Sequence, residues 1–214
     1  MATAGDAYLE WYYNNNVWKN IHYRGVRTLK LPLDMWNYQE IIFEHNLEWV
    51  VETGTRHGGS ALFFSDLLTG ADRTGDVITI DVTHVDLHPD AKKQAGIHFL
   101  LGDSSAGNVI DEAMRILPHN RACNVLLILD SDHSRDHVCN ELTAWVPRLK
   151  RGDYLIVEDT IVNGHPVRPE FGPGPMEAIM DYVAANPGRL IADEKRANKF
   201  GCTFAYRGYY RVQA

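Results

Sequence analysis

The sequence predicts an α/β fold class with a doubly wound, mainly parallel sheet. Short apolar runs alternate with helical segments along the chain, as in repeated βαβ units. Two of these runs, Val125–Leu129 and Tyr154–Val157, are apolar throughout, which is typical of strands buried on both faces. Segments 199–206 and Tyr209–Val212 flank Arg207-Gly208 and predict a closing antiparallel hairpin at the C-terminus.

The elements are expected in a regular order. Segment 30–34 predicts a turn, with Asp34 as the N-cap of a helix over 35–45. Further strands are predicted at 49–51, 76–81 and 98–101, besides the two apolar runs, and further helices at 60–68, 109–117, 135–149 and 176–185. This alternation indicates right-handed crossovers between parallel strands.

Composition indicates one soluble globular domain. The 214 residues suit a single domain over 1–214, in which an N-terminal aromatic and helical cap, 1–45, precedes a core over 46–214. Hydrophobic residues make up 45% of the chain and charged residues 23%. The net charge of −7 argues against a nucleic-acid partner.

The cysteines and the hydropathy of the chain indicate the cellular compartment of the protein. Cys123, Cys139 and Cys202 are widely spaced and form no CxxC pattern, so neither a disulfide framework nor a thiolate zinc site is predicted. No signal-like segment opens the chain, and no apolar run approaches the roughly 18 residues of a membrane span. We therefore expect a cytoplasmic protein without a membrane partner.

The N-terminal segment is rich in aromatic residues, among them Trp11, Tyr12, Tyr13 and Trp18. One interpretation is core packing or a contact between subunits of a homo-oligomer, which we expect. The other is a lid over a small-molecule substrate, because aromatic faces suit sugars and planar rings. The Gly- and Pro-rich loop 164–175 is a second lid candidate or a plain surface connection.

A glycine-rich turn over 52–60 joins the first core strand to its helix. Glycines let the backbone approach a ligand closely, and a helix N-terminus offers free N–H groups to it. This turn is therefore a candidate site for an anionic ligand. The turn matches neither GxGxxG nor Walker A, so a tight turn without a ligand stays open.

Acidic and hydroxyl residues follow the next two strands. Asp81 ends the second strand, where a carboxylate can accept both hydroxyls of a ribose. Asp103 and Ser104 follow the third strand and suit a further wall of the same pocket. Capping of a loop or helix is the alternative role for all three.

Two acidic clusters end the two apolar runs. Asp130-Ser131-Asp132-His133 follows the first, and Glu158-Asp159-Thr160 follows the second. Carboxylates at the carboxyl ends of parallel strands lie where open α/β sheets bind ligands, and converging oxygen donors suit Mg²⁺. A solvated loop is the alternative for Glu158-Asp159, an ordinary helix-terminal histidine for His133, and N-capping is preferred for Asp132.

Taken together, these motifs resemble the class I S-adenosylmethionine-dependent methyltransferases. Over about residues 30–180 the pattern is similar to the Mg²⁺-dependent family of cephalosporin hydroxylases and of rhamnosyl and macrolide-sugar O-methyltransferases. The stretches that carry the resemblance are 30–34, 52–60, 129–134, 141–142, 152–160 and 171–178. Asp130 and Glu158 are 28 positions apart, as in the metal site of catechol-type O-methyltransferases.

The resemblance implies a Rossmann-like methyltransferase fold and a role for each matching residue. Asp130, Glu158 and Asp159 would bind Mg²⁺, and His133, where the catechol type has a lysine, would be the general base. The residues implied for S-adenosylmethionine are Lys30, Glu52, Gly54, Thr55, Ser60, Asp81, Asp103, Ser104 and Asp130. The reaction implied is methyl transfer to a hydroxyl of a sugar or natural-product diol.

Two other functions stay open from the sequence. His133, Asp132 and His137 imitate a two-histidine, one-carboxylate iron site, which would suit an oxidoreductase that uses 2-oxoglutarate. Their origin in one short segment leaves little freedom to form a facial array. A non-catalytic cofactor-binding subunit is the second alternative, against which the intact acidic and histidine residues speak.

Overall fold

The computed structural model describes residues 3–213 as a layered α/β structure; residues 1, 2 and 214 of the predicted domain lie outside them. Its strands are β1 (His22–Tyr23), β2 (Val26–Arg27), β3 (Trp49–Thr53), β4 (Val77–Asp81), β5 (Ile97–Leu101), β6 (Val125–Leu129), β7 (Tyr154–Val157), β8 (Leu190–Ala192) and β9 (Tyr209–Val212). Its helices are α1 (Ala4–Asn14), α2 (Pro32–Glu44), α3 (Gly59–Gly70), α4 (Pro89–Lys92), α5 (Gly107–Ile116), α6 (Arg135–Trp145), α7 (Pro175–Ala185) and α8 (Glu194–Ala197).

Seven strands form one sheet in the order β5-β4-β3-β6-β7-β9-β8, and β1 pairs with β2 separately. The strands from β5 to β7 run parallel, whereas β9 is antiparallel to both β7 and β8. The predicted fold class is therefore confirmed. The strand order reverses between β3 and β6, and such switch points form ligand-binding crevices at the carboxyl ends of the strands.

Apolar side chains cover both faces of the sheet. Every residue of β3, β6 and β7 is buried, which explains the continuous apolar sequences of β6 and β7. On one face Leu142 and Trp145 of α6 belong to the core cluster. On the other face Tyr38 of α2 and Phe64 of α3 belong to a second core cluster. The parallel strands are thus held rigidly and fix the positions of the loops at their carboxyl ends.

The predicted arms of the C-terminal hairpin are partly wrong. The strand Tyr209–Val212 is present, but its antiparallel neighbours are β7 and Leu190–Ala192. Segment 199–206 forms no strand, because a buried carboxylate holds its backbone and side chains. The carboxylate of Asp34 accepts hydrogen bonds from the Thr203 hydroxyl at 2.5 Å and the Phe204 N–H at 2.7 Å.

Asp34 is also not the helix cap that the sequence predicts. Helix α2 begins at Pro32, with Leu31 as its N-cap, and proline suits the first helical position. Asp34 lies within the first turn and is 1% exposed. Its side chain ties the start of α2 to the C-terminal segment, and the Tyr209 hydroxyl adds a third bond at 2.9 Å.

Helix α1 packs against residues of the loop after β7 and of the C-terminal segment. Leu9 and Tyr12 are buried in a cluster with Ile161 and Phe204. The core-packing interpretation of the aromatic segment is thus correct for Tyr12. Among residues 3–213, no helix combines the length and the apolar character needed to cross a membrane.

Candidate functional site

A cavity of about 610 Å³ lies at the carboxyl ends of the central strands. Its wall contains seven of the nine residues predicted for the cofactor: Gly54, Thr55, Ser60, Asp81, Asp103, Ser104 and Asp130. His133 and Asp159 line the same cavity. The sheet therefore brings together residues that lie more than a hundred positions apart in the sequence.

The turn after β3 passes very close to the loop after β6. Gly54 has φ +88°, and a Cβ atom there would lie 1.9 Å from the backbone oxygen of Asp130. Its N–H donates to the Ile80 carbonyl at 2.7 Å. Glycine is thus required for both backbone conformation and space. The Thr55 and Thr79 hydroxyls lie 2.8 Å apart and fix the other side of the turn.

Asp81 and Asp103 hold their own loops and still reach the cavity. Asp81 accepts hydrogen bonds from the Arg56 N–H at 2.9 Å and the Thr83 N–H at 3.1 Å. Asp103 Oδ1 accepts from the N–H and hydroxyl of Ser105, and these bonds lower the pKa of Asp103. Both residues therefore hold their loops, as the capping alternative predicts, and also line the cavity.

Lys30, Glu52 and Glu158 are buried behind the cavity wall. Lys30 Nζ lies 2.5 Å from Asp130 Oδ2, 2.8 Å from Glu158 Oε1 and 4.0 Å from Glu52 Oε1. The Tyr38 hydroxyl also donates to Glu158. Sequence reasoning grouped Lys30 with the cofactor-binding residues, whereas its ammonium here contacts the acidic clusters from behind.

Burial and charge act in opposite directions within this cluster. Burial alone would lower the pKa of Lys30, but Asp130, Glu158 and Glu52 outweigh it and raise that pKa well above its usual value. Burial raises the pKa of Asp130, against the opposing charge of Lys30. It also raises the pKa of Glu52 to about 7. The ammonium is therefore a fixed positive charge at neutral pH.

Asp130, His133 and Asp159 form a group suited to a metal ion. One ligand atom from each lies within 4.8 Å of those of the other two, and His133 Nε2 is 3.2 Å from Asp159 Oδ2. Burial raises the pKa of Asp159. Burial would lower the pKa of His133, but the charges of Asp159 and Asp130 raise it overall. Two carboxylates and an imidazole are donors that a divalent ion accepts.

A second polar network, which sequence reasoning missed, supports the wall near Ser104. The hydroxyls of Ser104 and Ser131 donate to the buried Glu141 Oε1 at 2.6 and 2.8 Å. His137 Nε2 lies 3.0 Å from Ser131 Oγ and 3.6 Å from Glu141 Oε1. The spacing of four between His137 and Glu141 on α6 is the sequence signal that places them on one face.

The described side chains do not form the two-histidine, one-carboxylate iron site that the sequence left open. His137 is directed to Ser131 and Glu141, and Asp132 Oδ1 accepts the Ser134 N–H at 2.7 Å. Asp132 therefore secures the turn before α6, while Ser134 occupies the N-cap position itself. His133 is directed instead toward Asp159.

Another part of the wall is aromatic and basic. Tyr13, Trp18, Phe204 and Arg168 line the cavity together with His133 and Asp159. The rings of Tyr13 and Trp18 stack with centroids 5.5 Å apart. The indole nitrogen of Trp18 is buried and has no hydrogen-bond partner within residues 3–213. Arg168 was missed from the sequence because it lies in the long loop after β7, which carries no regular pattern.

The buried acids make stability depend on pH. Burial raises the pKa of both Glu52 and Asp34 to about 7, so the folded protein binds protons there that the unfolded chain releases at lower pH. Stability from these groups is present below their unfolded pKa values and is lost as pH rises toward about 7. We expect the Tm of the metal-free protein to fall between about pH 5 and about pH 8.

Glu52→Gln should make this fall in Tm smaller, measured by thermal unfolding at both pH values. Glu40→Gln is the control, because hydrogen bonds from Lys199 and Arg196 lower the pKa of Glu40 to about 2. The stability that Glu40 contributes is lost only as pH falls below the pKa of Glu40 in the unfolded chain. That pKa lies outside the range from about pH 5 to about pH 8. An unchanged pH dependence in Glu52→Gln would contradict the interpretation.

Comparison with known proteins gives a consistent picture. A family model described as "Rhamnosyl O-methyltransferase/CmcI" matches residues 15–213. The chain is similar to rhamnosyl O-methyltransferase of Mycobacterium leprae, at 44% identity over 97% of this chain and 90% of that protein. It is 42% identical to the enzyme of that name from Mycobacterium tuberculosis (strain ATCC 25618 / H37Rv), over 96% of this chain and 84% of that protein.

Solved structures agree with the fold. A Mg-SAM structure of CmcI is 26% identical, with a TM-score of 0.71 over 92% of this chain and 78% of that chain. The methyltransferase MycE in complex with Mg, SAH and mycinamycin VI is 20% identical, with a TM-score of 0.50 over 69% of this chain and 38% of that chain. The MycE match supports the fold alone.

Proposed function

This chain belongs to the rhamnosyl O-methyltransferase/CmcI family, and on that premise we propose that it is a Mg²⁺-dependent methyltransferase acting on a sugar hydroxyl. The methyl donor would be S-adenosylmethionine. The observation that carries the proposal is one cavity that joins the glycine-rich turn to Asp130, His133 and Asp159. Methyltransferase class was predicted from the sequence, and the family match confirms it.

The cofactor side of the cavity would be built by three loops. Gly54 and Thr55 bring backbone close to the ligand, and Asp81 offers carboxylate oxygens at the end of β4. Ser104 lines the next wall, and its hydroxyl is oriented by Glu141. This order of loops suits a nucleoside whose ribose meets Asp81 and whose base lies near Ser104.

The acidic side chains at the cavity offer donor atoms that suit a divalent ion. Asp130 and Asp159 would be ligands from the cavity wall, as the sequence predicts. Glu158 stays a predicted ligand whose carboxylate contacts Lys30 and Tyr38 in the structure described here. When bound, Mg²⁺ would supply Lewis-acid stabilisation of negative charge on the acceptor oxygen.

His133 is placed to hold the proton that the reaction releases. Its Nε2 lies 3.2 Å from Asp159 Oδ2, so the carboxylate orients the ring and stabilises the protonated form. As the acceptor oxygen forms its bond to the methyl carbon, the carbon–sulfur bond breaks and its electron pair stays on sulfur. The hydroxyl proton passes to the other, unprotonated nitrogen of the His133 ring, since Nε2 faces Asp159. The protein's contribution is then positioning and proton transfer.

The acceptor would lie against the aromatic and basic wall. Stacked Tyr13 and Trp18 would offer an aromatic surface to a pyranose ring, and the indole N–H of Trp18, buried without a partner within residues 3–213, would donate to the sugar. Arg168 adds further donors at the same wall. Similarity to enzymes named rhamnosyl O-methyltransferase supports a deoxyhexose as the sugar.

The acceptor wall gives a specific prediction. Trp18→Phe keeps the ring and removes the indole donor, so we expect KM for a rhamnoside to rise by about 5- to 30-fold, as for the loss of one buried hydrogen bond. KM for S-adenosylmethionine should stay within about twofold. A parallel rise in both constants would contradict a separate acceptor wall. Trp36→Phe, at a 59% exposed position on α2, is the matched control.

The proposed function is tested by product formation. The purified protein is incubated with S-adenosylmethionine and methyl α-L-rhamnopyranoside, with Mg²⁺ or with EDTA, and methylated sugar and S-adenosylhomocysteine are measured by mass spectrometry. We expect both products in equal amounts and only with Mg²⁺. Equal turnover in EDTA would contradict the metal dependence. Turnover of catechol but not of the rhamnoside would contradict the acceptor class.

A further inference from the structure

The buried ammonium of Lys30 joins the two acidic clusters. Its side chain is 4% exposed, and Nζ contacts both Asp130 Oδ2 at 2.5 Å and Glu158 Oε1 at 2.8 Å. Glu52 Oε1 lies 4.0 Å away and has no hydrogen-bond partner within the described chain. One positive charge thus faces three carboxylates, of which that of Asp130 belongs to a residue lining the cavity and those of Glu52 and Glu158 do not.

The fold itself, and not a ligand, places this charge. Lys30 directly precedes Leu31, the N-cap of α2, and α2 is anchored by Asp34 to the C-terminal segment. Asp130 and Glu158 follow neighbouring parallel strands, and the Glu158 N–H donates to the Leu129 carbonyl at 3.0 Å. Two carboxylates at adjacent strand ends repel each other strongly where water is excluded, unless a cation lies between them.

We propose that Lys30 is an internal counter-ion of the metal site. Its ammonium holds Asp130 and Glu158 in position before a metal binds, and it shares these carboxylates with the metal afterwards. The inference rests on the proposed function, because the adjacent cluster is there assigned to Mg²⁺. Lys30 would accordingly be a positioning residue, a role that differs from the cofactor binding implied by the resemblance.

The proposal has a consequence for metal affinity. An ammonium that contacts the same carboxylate as a divalent ion would repel that ion across a short distance. At an effective dielectric constant of about 20, this repulsion exceeds the free energy of a tenfold change in affinity. Lys30 therefore preserves an assembled site without metal and lowers the affinity for the metal. Neutral replacement of Lys30 should reverse both effects.

Lys30→Met is the test, because methionine keeps the length of the chain and removes the charge. In metal-free buffer we expect its Tm to fall by about 10 °C, since buried carboxylates lose their partner. The rise in Tm caused by Mg²⁺ should be larger than in the wild type. Calorimetric titration with Mg²⁺ alone should show affinity at least about tenfold tighter.

Arg121→Met is the matched control. Arg121 pairs with the buried Asp153 at the amino ends of β6 and β7, the opposite ends from Asp130 and Glu158. It should lower Tm and leave the Mg²⁺ response at its wild-type size. If Lys30→Met does not fold, Lys30→Gln keeps a hydrogen-bond donor and carries the same prediction.

Three results would overturn the inference. An unchanged or weaker Mg²⁺ affinity in the Lys30 variants would mean that Lys30 does not compete for these carboxylates. Failure of both variants to fold even in millimolar Mg²⁺ would mean that the metal does not replace the ammonium. A wild-type protein without any Mg²⁺ response would instead overturn the proposed metal site, and the inference with it.

Discussion

Asp130→Ala should lower Mg²⁺-dependent methyl transfer by more than about 100-fold, because removing a residue that only orients a metal ligand already costs about 10- to 100-fold. On the cavity side, Asp130 belongs to the candidate metal-binding group with His133 and Asp159. Its Oδ2 also accepts a hydrogen bond from the Lys30 ammonium at 2.5 Å. Alanine removes both contacts at once. The measurement is the initial rate of S-adenosylhomocysteine formation across a range of Mg²⁺ concentrations.

Asp136→Ala is the matched control for this prediction. Asp136 lies six positions further on in the first turn of α6, and its side chain is 93% exposed. Its rate should remain within about twofold of the wild type, as for an exposed surface change. An Asp130→Ala enzyme with the wild-type rate would show that the acidic clusters do not take part in turnover.

His133→Gln should lower kcat by about 10²- to 10⁴-fold, the range for loss of a general base. The acidic charges around His133 raise its pKa above the usual value for histidine, although burial opposes them. A protonated imidazole cannot accept the hydroxyl proton, so the wild-type kcat should increase as pH rises through the pKa of His133 in the Mg²⁺-bound enzyme. This acidic limb should disappear in the variant.

The pH profile separates a base from a structural histidine. His88→Gln, in which the replaced side chain is 43% exposed at the N-cap of α4, should retain the wild-type rate and profile. A His133 variant that loses activity but keeps the acidic limb would indicate that another group is the base. Unfolding temperatures measured alongside would identify a loss due to instability.

The sequence was sufficient for elements whose burial leaves a local pattern. Val125–Leu129 and Tyr154–Val157 have the bounds that their apolar runs predict, because all their side chains are buried. Gly54, Asp81 and Ser104 meet in one cavity, as expected for loops at the carboxyl edge of a parallel sheet. Their contacts with a cofactor stay a prediction.

What the sequence left open depends on contacts between distant residues. The Lys30 ammonium meets Glu158 across 128 positions, and no local spacing predicts such a pair. Asp34 bonds to Thr203 and Tyr209, and this contact replaces the first arm of the expected hairpin. Helix capping was expected there because Asp is a common cap, and tertiary contacts overrode that local preference.

Calorimetric titration with S-adenosylhomocysteine, in the presence and absence of Mg²⁺, tests the central claim most directly. The cavity predicts binding of one nucleoside ligand per chain, followed in the presence of Mg²⁺ by binding of methyl α-L-rhamnopyranoside to the same complex. Asp81→Ala should weaken the first step by about 10-fold or more, as for loss of a hydrogen bond to a charged group. Absence of S-adenosylhomocysteine binding in both conditions would contradict the account.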